Sequence, residues 1–109
     1  MSHDGFYAIE FSTPLGNGNG VVTLLGGHIR GGDSMIYYVG NYQLDGEHFS
    51  ADVTTNAHAH EPGMSSVFGR DNVHISLNGA FSGSDAVLTG TAREVPGLKF
   101  NAKLKRIGP

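Results

Sequence analysis

The residues best equipped for chemistry are histidines. His58-x-His60-Glu61 puts two imidazoles on one strand face, a spacing that chelates Zn²⁺ or Ni²⁺ when a third ligand, such as His48 or Asp52, joins them. The pair also falls where a strand-like run gives way to a loop, and solvated polar residues are ordinary there. His58 and His60 are therefore metal candidates only if a third ligand completes them, and no metal or other cofactor is expected. Gly16-Asn17-Gly18-Asn19-Gly20 has the glycine content of a phosphate loop. Such a loop needs a helix N-terminus behind it to align N–H groups, and Val21-Val22-Thr23-Leu24 reads as a strand instead. The stretch from Thr13 to Gly20 is thus expected to be a flexible hairpin loop. Ser65 and Ser66 sit in no nucleophile elbow and have no base placed beside them. With no cysteine, thiolate catalysis, thiolate metal sites and disulfides are all excluded. No catalytic residue is assigned, and the chain is not expected to be an enzyme.

A second group of candidates is aromatic. Tyr38, Tyr42, Phe49, Phe81 and Phe100 occupy strand positions that share an inward parity. They either fill the interior or line a pocket for a small apolar ligand, whose orientation tyrosine hydroxyls would fix. Tyr37 and Val39 take the opposite parity. Outward apolar neighbours of this kind suggest a subunit interface. Lys99, Lys103 and Lys105 form an outward basic stripe, which keeps a strand face soluble and discourages unwanted pairing.

The elements that must position these side chains are organised around residues 31–42. Gly31-Gly32-Asp33-Ser34 is turn chemistry, and it runs straight into β-branched and aromatic residues. Ile36, Tyr38, Tyr42 and Leu44 share one face with Gly40 between them, a pattern suited to a tightly curved sheet. Similar alternation marks Phe6–Phe11, Phe49–His58, Val73–Phe81, Ala86–Arg93 and Lys99–Lys105, with shorter runs at Val21–Leu25 and His28–Arg30. Gly26-Gly27 and Asp45-Gly46 are hairpin signals, and Ser82-Gly83-Ser84-Asp85 and Val95-Pro96-Gly97 are turns. Residues 59–71 break the pattern; within them, Met64–Gly69 has the makings of one helical turn.

About eight strands joined by such short turns must pair antiparallel as a meander. They are expected to close into an up-and-down barrel, an open two-sheet sandwich being the alternative. The 109 residues suffice for one domain, covering 1–109. Seventeen glycines are about twice the usual ~7% and fall between apolar runs, without a collagen period. With 39% hydrophobic and 16% charged residues the chain is not disordered, and a net charge of −3 gives no reason to expect nucleic acid as a partner. No cationic start precedes an apolar segment and no apolar run approaches ~18–20 residues, so neither membrane insertion nor export is expected and the default compartment is the cytoplasm.

Several short motifs appear in one order along nearly the whole chain. They are Gly5-Phe6-Tyr7, Gly18-x-Gly20-Val21-Val22, Gly31-Gly32-Asp33-Ser34 and Tyr37-Tyr38-x-Gly40-x-Tyr42, then Asp45-Gly46, Ser66-Val67-Phe68-Gly69, Leu88-x-Gly90 and Pro96-Gly97-Leu98-Lys99-Phe100. Together they resemble the GrlR family of negative regulators of type III secretion gene expression in bacteria. The resemblance implies a small lipocalin-like antiparallel barrel that dimerises. It also implies a non-enzymatic role, sequestering a transcriptional activator by protein–protein contact. The family regulator's acidic Glu-Asp-Glu-Asp loop has no counterpart here. The acids are scattered, among them Asp33, Asp45, Glu47, Asp52, Glu61, Asp71, Asp85 and Glu94. The resemblance therefore carries over the fold, but not the residues that would engage a partner.

Overall fold

Inward-facing apolar side chains recur at every second residue, and this period generates the architecture. A computed structural model describes residues 3–14, 16–59 and 72–109. Eight strands follow one another: β1 (Gly5–Thr13), β2 (Gly16–Leu25), β3 (His28–Gly32), β4 (Ile36–Asp45), β5 (His48–Ala57), β6 (His74–Ser82), β7 (Asp85–Ala92) and β8 (Lys99–Gly108). Each pairs antiparallel with its neighbour in sequence, and β1 pairs with β8, so the sheet is a closed barrel. That last ladder, with Ile9 opposite Leu104 and Phe11 opposite Ala102, rules out the open sandwich. The suggested helical turn at Met64–Gly69 lies outside the described residues, as do His60, Ser65 and Ser66.

Turn chemistry sets the register at one end of the barrel. Gly26 and Gly27 have φ of 58° and 87°, so both central residues of this two-residue hairpin are left-handed, the I′ pattern that matches strand twist. Asp45 pairs with His48, leaving Gly46-Glu47 as the loop, with Gly46 at φ 63°. The opposite end carries the longer links.

One expectation fails. Gly16–Gly20 is not a loop but the first half of β2, paired residue by residue from Thr13↔Gly16 to Gly20↔Ile9. Composition argues for a loop, yet the alternation of glycine with asparagine has the period of a strand. Asn17 and Asn19 are exposed while the glycines face inward. The missing side chain at Gly20 leaves room for the Tyr38 ring of β4: a Cβ there would lie 2.8 Å from the Tyr38 hydroxyl.

Gly40 does what the curved-sheet reading requires. A Cβ there would stand 2.0 Å from the Asp52 carbonyl oxygen of β5, and Gly31 and Gly79 meet the neighbouring strand's backbone just as closely. Glycine is what lets β4 and β5 approach at this bend. The interior behind them is filled by Tyr7, Ile9, Phe11, Val22, Leu24, Ile29 and their counterparts on the remaining strands.

Candidate functional site

The five aromatic candidates all lie inside the barrel, and each is at most 8% exposed. They fall into two groups. Toward the end that carries the tight hairpins, Tyr42 stacks on Phe49 at 5.6 Å, and Phe49 meets Phe81 edge-on at 5.7 Å. Toward the other end, Phe11 meets Tyr38 edge-on at 5.6 Å and Phe100 at 6.2 Å. Sequence reading did not name Phe11 or Tyr7 as partners, although their strand parity already placed them inside. The rings occupy one another, and among the described residues no buried side-chain N or O atom lacks a hydrogen-bond partner.

Of the three interior tyrosine hydroxyls, those of Tyr38 and Tyr42 are anchored by carboxylates. Tyr38 donates to Asp33 Oδ2 at 2.6 Å, while Asp33 Oδ1 accepts the backbone N–H groups of Met35 and Ile36 at 2.9 and 2.8 Å. Asp33 thus shapes the β3–β4 turn and holds a ring inside the barrel at once. Burial, reinforced by the bond to Asp33, pushes the Tyr38 hydroxyl far above its ordinary pKa. Tyr42 donates to Asp4 Oδ1 at 2.8 Å, and burial followed by that bond raises its pKa too.

Of the histidine candidates, His60 lies outside the described residues, and the described ones stand apart. His58 follows the end of β5, where its Nε2 bonds the Asp33 carbonyl oxygen at 2.8 Å. His48 and Asp52 are exposed on the outer wall of β5. Among the described residues no group of three or more His, Asp or Glu side chains is placed to hold a metal ion. A different histidine is engaged: Glu94 accepts the His74 backbone N–H at 2.7 Å and also contacts the His74 Nδ1. These two bonds, the backbone one foremost, pull the Glu94 carboxyl down to about 2.

The outer wall is where the two halves of the barrel differ. Among the described residues seven large apolar side chains are left exposed: Phe6, Val21, Leu25, Tyr37, Val39, Val87 and Ile107. All but Val87 lie on β1, β2, β4 and the adjoining end of β8. Cross-strand pairing relates four of these residues, with Gly32 between Val21 and Tyr37 and the polar Thr23 and Arg30 between Phe6 and Val39. Ala8, Val21, Gly32 and Tyr37 form one row across β1–β4, and Phe6, Thr23, Arg30 and Val39 form the next. Tyr37 and Val39, the expected interface residues, are 41% and 42% exposed and belong to these rows. On the other half, Lys103 faces Glu10 and Lys105 faces Asp85 across the ladder, so the lysine stripe is partly offset. No protein-family model matches the sequence, and no curated protein is significantly similar to it.

Proposed function

We propose that this is a non-enzymatic regulatory binding protein that works through the outside of its barrel. In this reading it is a homodimer that contacts a transcriptional regulator, in the manner of the negative regulators of type III secretion gene expression that its sequence resembles, and it acts in the cytoplasm. The observation that carries the proposal is the concentration of exposed apolar side chains on β1, β2, β4 and the end of β8. Exposed apolar side chains gathered on one side of the barrel suit a contact surface for protein. The alternative, a carrier or sensor of a small apolar ligand, draws less support from an interior in which the candidate rings are packed on one another.

Sedimentation of the wild type beside Val21→Glu and Val39→Glu tests the dimer. Both positions are on the outer wall, so the barrel should survive while the dimer is lost. A wild type that stays monomeric at tens of micromolar counts against the dimer. Affinity capture from the native host tests the partner. Recovery of a DNA-binding regulator by the wild type, but not by a surface variant, supports the reading; recovery of metabolites or membrane components alone counts against it.

A further inference from the structure

The residues before β1 occupy a seat at the hairpin end of the barrel. His3 is 7% exposed, and its imidazole lies flat on the Phe81 ring with centroids 3.9 Å apart and planes 10° from parallel. Its Nε2 is 3.4 Å from Glu47 Oε1, on the β4–β5 hairpin. Phe81, the face that receives the imidazole, is itself packed by rings of other strands: Tyr7 of β1 at 5.9 Å and Phe49 of β5 at 5.7 Å, with Tyr42 of β4 stacked on Phe49. These rings belong to the closed sheet. The occupant does not, since its ladder begins only at Gly5. Side-chain bonds fasten it instead, from the Tyr7 hydroxyl to the His3 carbonyl oxygen at 2.6 Å and from the Tyr42 hydroxyl to Asp4 at 2.8 Å.

We infer that the His3 seat is a binding site for a small planar nitrogen heterocycle of imidazole size, which the chain's own N-terminal residues hold occupied. The chemistry of the seat is that of a heterocycle receptor. A phenyl face receives a flat ring, and a carboxylate at the rim accepts its N–H, with attraction strengthened if the ring is cationic. His3 meets both requirements, so a free ring of the same size and donor pattern can meet them in its place. Because His3 is tethered, it competes at a high effective concentration. A ligand therefore gains entry in the wild type only as His3 and Asp4 swing out, and this makes the segment an internal competitor. The site lies at the barrel end and does not depend on what the outer wall contacts.

Imidazole itself is the probe, and His3→Gly vacates the seat. Thermal unfolding and NMR titration are followed for His3→Gly and wild type in parallel at neutral pH. When free imidazole is about ten times its Kd for His3→Gly, the variant should gain roughly 6–11 °C in Tm while the wild type stays unchanged. Saturable shifts should appear at Phe81 and Glu47. Adding Glu47→Gln, a change at a largely exposed side chain, should weaken the variant's affinity for imidazole several-fold. Should His3→Gly be unfolded alone, imidazole in the refolding buffer should restore the barrel. Equal responses from variant and wild type, an absence of saturable shifts in a folded His3→Gly, or failure of imidazole to restore an unfolded one would overturn the inference.

Discussion

Gly40→Ala tests the geometry on which the barrel's curvature rests. The added Cβ would sit 2.0 Å from the Asp52 carbonyl oxygen, 2.8 Å from Val53 Cα and 2.9 Å from the Asp52 carbonyl carbon. All three are backbone atoms of β5, so no rotamer change relieves the contact. Relief requires β4 and β5 to separate locally by about 1 Å, which takes an N–H···O bond of ~2.9 Å outside hydrogen-bonding range. Overpacking costs about 1–3 kcal/mol, and each ladder bond lost adds about 1 kcal/mol. A total near 3 kcal/mol is a large part of the ~5–15 kcal/mol that holds a domain together. In a chain of this size it should lower Tm by roughly 12–24 °C. Gly108→Ala is the control, because its Cβ would meet only Phe6 Cβ, at an ordinary 3.5 Å. Urea and thermal unfolding followed by circular dichroism measure both variants. If Gly40→Ala lies within about 0.5 kcal/mol of the wild type, the span typical of an unremarkable surface change, the close-approach reasoning is refuted.

Two predictions concern titration. The Tyr38 hydroxyl is raised by burial and by its bond to Asp33, so the native state keeps a proton that the unfolded chain releases near pH 10. Stability from this group is complete below pH 10 and falls as pH rises further; Tyr38→Phe should flatten that alkaline loss in urea midpoints, while costing about 1–2 kcal/mol at neutral pH. Glu94 has the opposite sign. Its contribution is complete above the ordinary value of 4.5 and is lost as pH falls toward about 2, so Glu94→Gln should remove part of the acid dependence between those limits. An unchanged acid limb in Glu94→Gln would show that the His74 contacts contribute nothing to folding.

Much of the barrel was legible because each strand alternates. Ile36, Tyr38, Tyr42 and Leu44 announce an inner face by parity alone, and Gly26-Gly27 announces its hairpin by the need for two left-handed residues. Asp33 was legible as a turn former, but its second task, holding Tyr38 five residues on, was not, because strand parity says only that the ring points inward and not where its hydroxyl ends. Gly16–Gly20 misled because glycine and asparagine are poor strand formers in isolation. The deciding term was the volume of Tyr38, two strands along the wall on β4, which sequence reading along β2 does not contain. The seat of His3 was illegible for a related reason. Asp4 and His3 show no strand period, and their partners Tyr42 and Glu47 stand 38 and 44 residues away.

The ladder between β1 and β8 joins the first strand to the last, which makes the order of synthesis matter. A chain emerging from the ribosome can zip its hairpins one after another, yet until β8 follows, β1 and β7 each present a bare edge of unpaired amides and carbonyls. Closure of the ring waits for translation through Gly108. A ribosome that stalls in the last link would therefore release a sticky ribbon rather than a slightly shortened barrel.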